Sequence, residues 1–186
     1  MNRRLAQGYH GETPRRAHAD TVAVVALGAN LGDRAATLAA ALDDLARLPL
    51  TSNVVAADPI ETVALTLDGP DAAAPAYLNT VALVTTRLAP TVLLGYLHAI
   101  EQRHGRPARQ PGDARWQDRT LDLDLIAYGD VRSDTPVLTL PHPRAAERDF
   151  VLAPWLALDP DAVLPGAGRV AELRARLRSA PEAGDA

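Results

Sequence analysis

Apolar and polar positions change their period several times along the chain, and each change marks an element. The β-branched run Val22 to Val25, continuing to Leu27, predicts a strand that starts near Thr21. Gly28-Ala29-Asn30-Leu31-Gly32 breaks it, Asp33 offers a helix cap, and Leu38, Leu42 and Leu45 then recur at helical spacing. Thr51 to Asp58 is rich in Val and Ala and reads as a second strand. A long loop over Thr62 to Ala76 follows, carrying Gly69, Pro70 and Pro75, and Leu78 to Thr86 returns to a strand pattern. Pro90 suits a first helical turn, with Val92, Leu93, Leu97 and Ile100 on one stripe of a helix ending near His104-Gly105. Beyond a Pro-, Gly- and Arg-rich loop at Arg106 to Trp116, Thr120 to Tyr128 reads as a strand. Pro141-His142-Pro143 predicts a rigid turn before a helical stretch through Leu158, and Arg169 to Arg178 a last amphipathic helix.

The order strand, helix, strand, strand, helix, strand predicts an α+β fold. It fits a ferredoxin-like βαββαβ sandwich, helices on one face of an antiparallel sheet, with extra C-terminal helices. Residues 1–20 are polar, lack apolar periodicity and read as a disordered N-terminal arm; residues 21–178 form a single domain and 179–186 a flexible tail.

Composition narrows the chemistry. The 186 residues are 47% hydrophobic, enough for one substantial core, and the formal charge of -4 leaves no overall positive field for nucleic acid or an anionic membrane. Any anion site is therefore local. Cysteine is absent, which removes disulfides, thiolate metal sites and a cysteine nucleophile, and suits a reducing cytoplasm. All 19 Lys and Arg residues are arginine, so neither a phosphate loop with its lysine nor a lysine Schiff base is available. Arg15-Arg16 precedes the apolar run from Val22, but Asp20 and the shortness of that run read against an export signal. No segment approaches the roughly 20 apolar residues that span a bilayer.

The most informative segment is Arg119-Thr120-Leu121-Asp122-Leu123-Asp124. On a strand, side chains two apart share a face at roughly 6.5 to 7 Å, so Asp122 and Asp124 point one way and the leucines the other. Two carboxylates drawn to about 4 Å repel by roughly 4 kcal/mol at an effective dielectric near 20, which makes a shared cation a natural occupant, and oxygen ligands favour magnesium. A solvated strand face fits an isolated Asp-x-Asp equally well. Arg103, Arg106, Arg109, Arg115 and Arg119 crowd the approach to this strand, and Arg144 and Arg148 follow it. Guanidinium forks match phosphate oxygens, and arginine beside carboxylate-bound metal is what phosphoryl-type transfer needs. Surface ion pairs account for one or two of these arginines. His142 fits a turn residue as well as a phosphate ligand, and Phe150, the single phenylalanine, fits core packing. A ferredoxin-like binding module, either a nucleotide sensor or a single-strand RNA binder, is the alternative class; with 4% aromatics and no stacking motif the RNA version has little support.

Together these segments resemble the 6-hydroxymethyl-7,8-dihydropterin pyrophosphokinases of the folate pathway, over Val22 to about Pro165. The motifs are Ala26-Leu27-Gly28-Ala29-Asn30-Leu31-Gly32-Asp33, Tyr77-Leu78-Asn79, Ile100-Glu101 with Gly105-Arg106, Arg115-Trp116, Arg119 to Asp124, Pro141-His142-Pro143-Arg144, Glu147-Arg148 and Phe150-Val151-Leu152. The resemblance implies transfer of pyrophosphate from ATP to the pterin hydroxymethyl group, giving AMP. A cytoplasmic monomer is expected. It implies two Mg2+ ions on Asp122 and Asp124, and charge neutralisation by Arg106 and Arg119. Glu101, Arg115, Trp116, Arg119, His142 and Arg148 would hold ATP. Tyr77 and Phe150 would sandwich the pterin, while Asn79 and the backbone around Thr62 and Leu65 would bond its edge. Ala29, Val63 and Asp118 stand where the family usually has Ser, Pro and Pro, and Arg109 sits one place off an Arg-x-Arg spacing.

Overall fold

A computed structural model describes residues 19–66, 69–71, 75–105 and 120–179. The expected N-terminal arm and the segment carrying Arg106, Arg115, Trp116, Asp118 and Arg119 lie outside those residues, as does all but the first residue of the expected tail. Strand β1 (Thr21–Ala29) leads to helix α1 (Arg34–Ala46) and strand β2 (Thr51–Ala56). Short strands β3 (Ile60–Thr62), β4 (Ala64–Thr66) and β5 (Gly69–Asp71) precede β6 (Tyr77–Thr86), helix α2 (Pro90–Arg103) and β7 (Asp122–Tyr128). After a single 3-10 turn at Ala145–Glu147 come α3 (Asp149–Leu158) and α4 (Val170–Ser179). The principal sheet runs β2-β6-β1-β7, with β3 also on β6, and every pairing is antiparallel. The fold is thus mixed α and β, an antiparallel sheet with four α-helices among the described residues.

Central strand β1 is buried on both sides, so its apolar run is continuous from Ala23 to Leu27. Asp33 caps α1, its Oδ1 accepting from the Ala36 N–H at 3.0 Å, and Leu38, Ala41 and Leu45 line the buried stripe. In α2, Leu93, Leu97 and Ile100 do the same, and Pro90 occupies the first turn. Asp44 joins the two helices, receiving His104 Nε2 at 3.0 Å and Arg103 Nη2 at 3.4 Å.

Three expectations are corrected. Helices cover both faces: α1 and α2 pack on Ala23, Val25, Leu27, Leu123 and Leu125, whereas α3 and α4 pack on Val24, Ala26, Val81 and Ile126. β1 does not stop at Gly28 but runs to Ala29, because β6 and β7 pair with Gly28 from either side. The stretch read as one loop from Thr62 to Ala76 contains the β4-β5 hairpin, and β3 just before it continues the sheet edge past Pro59 by pairing Ile60 to Asn79 and Thr62 to Tyr77.

One irregularity shapes β7. Val24 pairs with Ala127 but Val25 with Leu125, a bulge that turns Ile126 and Ala127 together toward α3. The Ile126 carbonyl accepts the His142 N–H at 2.8 Å, which seats the Pro141-His142-Pro143 turn beside the strand.

Candidate active site

Gly28 organises the site from the middle of the sheet. It pairs with Asn79 of β6 on one side and Asp122 of β7 on the other, so all three share one face. Two strand spacings separate Asn79 from Asp122, about 10 Å. A Cβ on Gly28 would lie 2.9 Å from Asn79 Oδ1 and 3.8 Å from Tyr77 Cδ1. Absence of a side chain therefore keeps the row open.

On the β6 side, Asn79 is buried and its Nδ2 donates to Thr62 Oγ1 at 2.8 Å, which fixes the amide orientation. Tyr77 and Leu78 are half-buried beside it. Leu65 lies in the β4-β5 hairpin, paired with Pro70.

On the β7 side, Asp122 and Asp124 are half-buried while Leu121, Leu123 and Leu125 are buried on the opposite face, as the period of two requires. Arg148 Nη1 donates to Asp124 Oδ2 at 2.7 Å, and its guanidinium carbon lies 5.7 Å from the centroid of the Phe150 ring. His142 Nε2 approaches the same Asp124 oxygen at 3.9 Å. The His142 Nδ1 accepts the Arg144 N–H at 3.2 Å, which assigns the proton of the neutral ring to Nε2, toward Asp124. Burial lowers the His142 pKa; Asp124 pulls it upward, but Arg148 and Arg144 add to the lowering, with Asp122 a smaller raising influence.

Asp122, Asp124, His142, Arg148 and Phe150 thus come together, as do Thr62, Tyr77 and Asn79. Glu101, 2% exposed on α2, accepts the N–H of Leu123, the residue between Asp122 and Asp124, on Oε1 at 2.8 Å. Sequence reasoning missed Gly28 as a site residue; a glycine inside a strand pattern, marking close approach, was the available signal.

The two carboxylates suit a hard cation. No cluster of three or more His, Asp or Glu groups able to hold a metal occurs among the described residues, so protein oxygens alone do not build a cage. Magnesium is commonly held by one or two carboxylates with waters and substrate phosphates supplying the rest, and Asp122 and Asp124 fit that mode.

A helix-flanked antiparallel sheet carrying paired carboxylates next to arginine and histidine suits a mixed α and β protein that handles phosphoryl groups. The family model for 7,8-dihydro-6-hydroxymethylpterin-pyrophosphokinase (HPPK) matches residues 24–160, and the chain belongs to that family. Relatives named 2-amino-4-hydroxy-6-hydroxymethyldihydropteridine pyrophosphokinase include that of Pseudomonas aeruginosa, 43% identical over 156 residues, covering 81% of this chain and 88% of the relative. The Haemophilus influenzae protein of that name is 36% identical over 152 residues, covering 81% of this chain and 89% of the relative. Among solved structures, a Plasmodium falciparum HPPK-DHPS with pteroate superposes with a TM-score of 0.61 at 11% identity, covering 87% of this chain and 44% of that one. This likeness concerns the fold alone.

Proposed function

We infer that the chain transfers the pyrophosphoryl group of ATP to the hydroxymethyl oxygen of 6-hydroxymethyl-7,8-dihydropterin, yielding AMP and the pterin diphosphate in folate biosynthesis. The observation that carries the division of labour is the row Asn79-Gly28-Asp122, which puts a polar, fixed amide and an acidic strand on one face about 10 Å apart. A flat heterocycle at Asn79 would turn its reactive arm toward phosphates held over Asp122 and Asp124.

In this reading Tyr77 and Phe150 enclose the pterin rings, and Asn79 with the backbone around Thr62 and Leu65 bonds the ring edge. The Thr62 to Asn79 hydrogen bond supports it by holding the amide ready at no cost on binding. Asp122 and Asp124 would hold two Mg2+ ions, which when bound neutralise phosphate charge. Arg148 orients Asp124 and offers its remaining N–H groups to ATP; His142, with its proton on Nε2, donates to a phosphate oxygen. Arg106 and Arg119 neutralise charge as the group moves, and Glu101, Arg115, Trp116 and Arg119 complete the ATP set. The pterin hydroxyl oxygen bonds to the β-phosphorus as the bond from that phosphorus to the departing AMP oxygen breaks, and the hydroxyl proton is released to solvent. No covalent enzyme intermediate is needed, so positioning and charge stabilisation do the work.

The reading extends to the architecture. A ferredoxin-like plan is supported by the order β2-β6-β1-β7 with α1 and α2 on one face, and a single domain over 21–178 by the continuity of both cores. A cytoplasmic monomer acting on small molecules, without nucleic acid or membrane, completes it; the charge of -4 accords with that.

Purified protein should release AMP from ATP only when magnesium and the hydroxymethyl pterin are both present. Release of ADP, or no turnover, would overturn the assignment.

A further inference from the structure

Arg34 opens α1 at the end where the helix dipole disfavours a cation, and no acidic residue shares its first turn. The helix gains nothing from it there. Its guanidinium instead leaves the helix: Nη1 donates to Glu61 Oε1 at 2.9 Å and to the carbonyl of Ala76. Glu61 immediately precedes Thr62 in β3, Ala76 immediately precedes Tyr77 in β6, and Thr62 pairs with Tyr77. One side chain therefore joins the point where the chain leaves the sheet to the point where it returns.

With Arg34 31% and Glu61 60% exposed, the ion pair alone is a weak, salt-screened surface contact. Its value lies in what it anchors. Holding both flanks against α1 removes conformational freedom from the pair Thr62 and Tyr77 before any ligand arrives. Asn79, bonded to Thr62 Oγ1, inherits the same constraint.

We propose that Arg34 is a positioning residue for the pterin half of the site, acting through Glu61 and Ala76 on Thr62, Tyr77 and Asn79. The inference rests on the reading that those three residues receive the pterin. Arg34 itself touches no substrate.

The test is Arg34→Gln in the full chain, with Arg34→Lys and Glu61→Gln beside it. Steady-state kinetics would give KM for 6-hydroxymethyl-7,8-dihydropterin and for MgATP separately, and amide hydrogen exchange would be followed at Thr62, Tyr77 and Leu78. Arg34→Gln should raise the pterin KM about three- to tenfold, the range of one ion pair with one hydrogen bond, and leave the ATP KM within about twofold. Exchange at those amides should quicken while the rest of α1 keeps its protection. Arg34→Lys, which cannot serve both partners as well, should fall between; Glu61→Gln should reproduce part of the effect. An equal rise in both KM values, or unchanged exchange at the three amides, would overturn the proposal. Asn79→Ala separates it from the reading beneath: if that variant raises the pterin KM while Arg34→Gln does not, only the role of Arg34 fails. If Asn79→Ala leaves the pterin KM unchanged, the pterin assignment fails and takes the proposal with it.

Discussion

Arg148 Nη1 lies 2.7 Å from Asp124 Oδ2, so a proposed metal ligand is already gripped on one oxygen by a side chain 24 positions later. That partnership fixes where the carboxylate points. Outer partners of this kind commonly change metal affinity or activity about 10- to 100-fold when removed. Arg148→Ala is expected to weaken magnesium binding by that order, measurable as a raised half-saturating metal concentration. Asp124→Asn should keep the fold, by circular dichroism, and abolish most activity. Unchanged rates in both would contradict the metal assignment.

Gly28→Ala tests the row directly. The new Cβ would meet Asn79 Oδ1 at 2.9 Å, and Asn79 can yield only by disturbing its bond to Thr62. Overpacking of this kind costs about 1–3 kcal/mol. Because the displaced Asn79 amide would lose one hydrogen bond to the ligand, pterin affinity should fall by up to about tenfold while ATP affinity changes little. Titration calorimetry with each substrate would show it.

How much of this was legible differs by element. β1, β6, α1 and α2 each carry their own period, so their residues announce them without help. The three-residue strand β3 has no period to read; it exists because Tyr77 to Asn79 offers an edge to pair with. Gly28 looked like a stop for the same reason, since partners on both flanks come from distant segments. Amphipathic helices declare a buried stripe but not which face of a sheet will receive it, which is why α3 and α4 on the second face were not foreseen. At the site, the shared face of Asp122 and Asp124 followed from strand alternation. The grip of Arg148 on Asp124 follows from tertiary structure alone.

Gly95 offers a contrast with Gly28. It lies exposed inside α2, and a Cβ there meets nothing within 4 Å. Gly95→Ala should therefore stabilise the protein by about 0.5–1 kcal/mol through reduced freedom of the unfolded chain. For a chain of this size that is a rise in Tm of about 1–4 °C. Kinetic constants should not move.

His142 should titrate below the ordinary histidine value of about 6.5, because burial outweighs the pull of Asp124. The unfolded chain then binds this proton more readily than the folded one. The contribution of His142 to stability is accordingly full above about pH 6.5 and lost as pH falls through the folded value. NMR titration of the His142 ring without magnesium would give the direction. Asp124→Asn should lower it further, by removing the leading influence that raises it; a rise would contradict this electrostatic picture.

Glu101 bears on the acidic strand from beneath. Its buried Oε1 accepts the N–H of Leu123, the residue between Asp122 and Asp124, and so ties β7 to α2 where the two carboxylates diverge to the other face. Glu101→Ala leaves that backbone donor without this acceptor, at a cost of about 1–3 kcal/mol, and should lower Tm. Glu101→Gln keeps an acceptor oxygen of the same reach and should recover most of the stability. The two variants separate support from chemistry. If Gln restores Tm and activity together, the residue serves by holding the strand; if it restores Tm while the ATP KM stays high, its charge acts on the nucleotide as well. Thermal melts beside ATP kinetics on the same preparations would decide it.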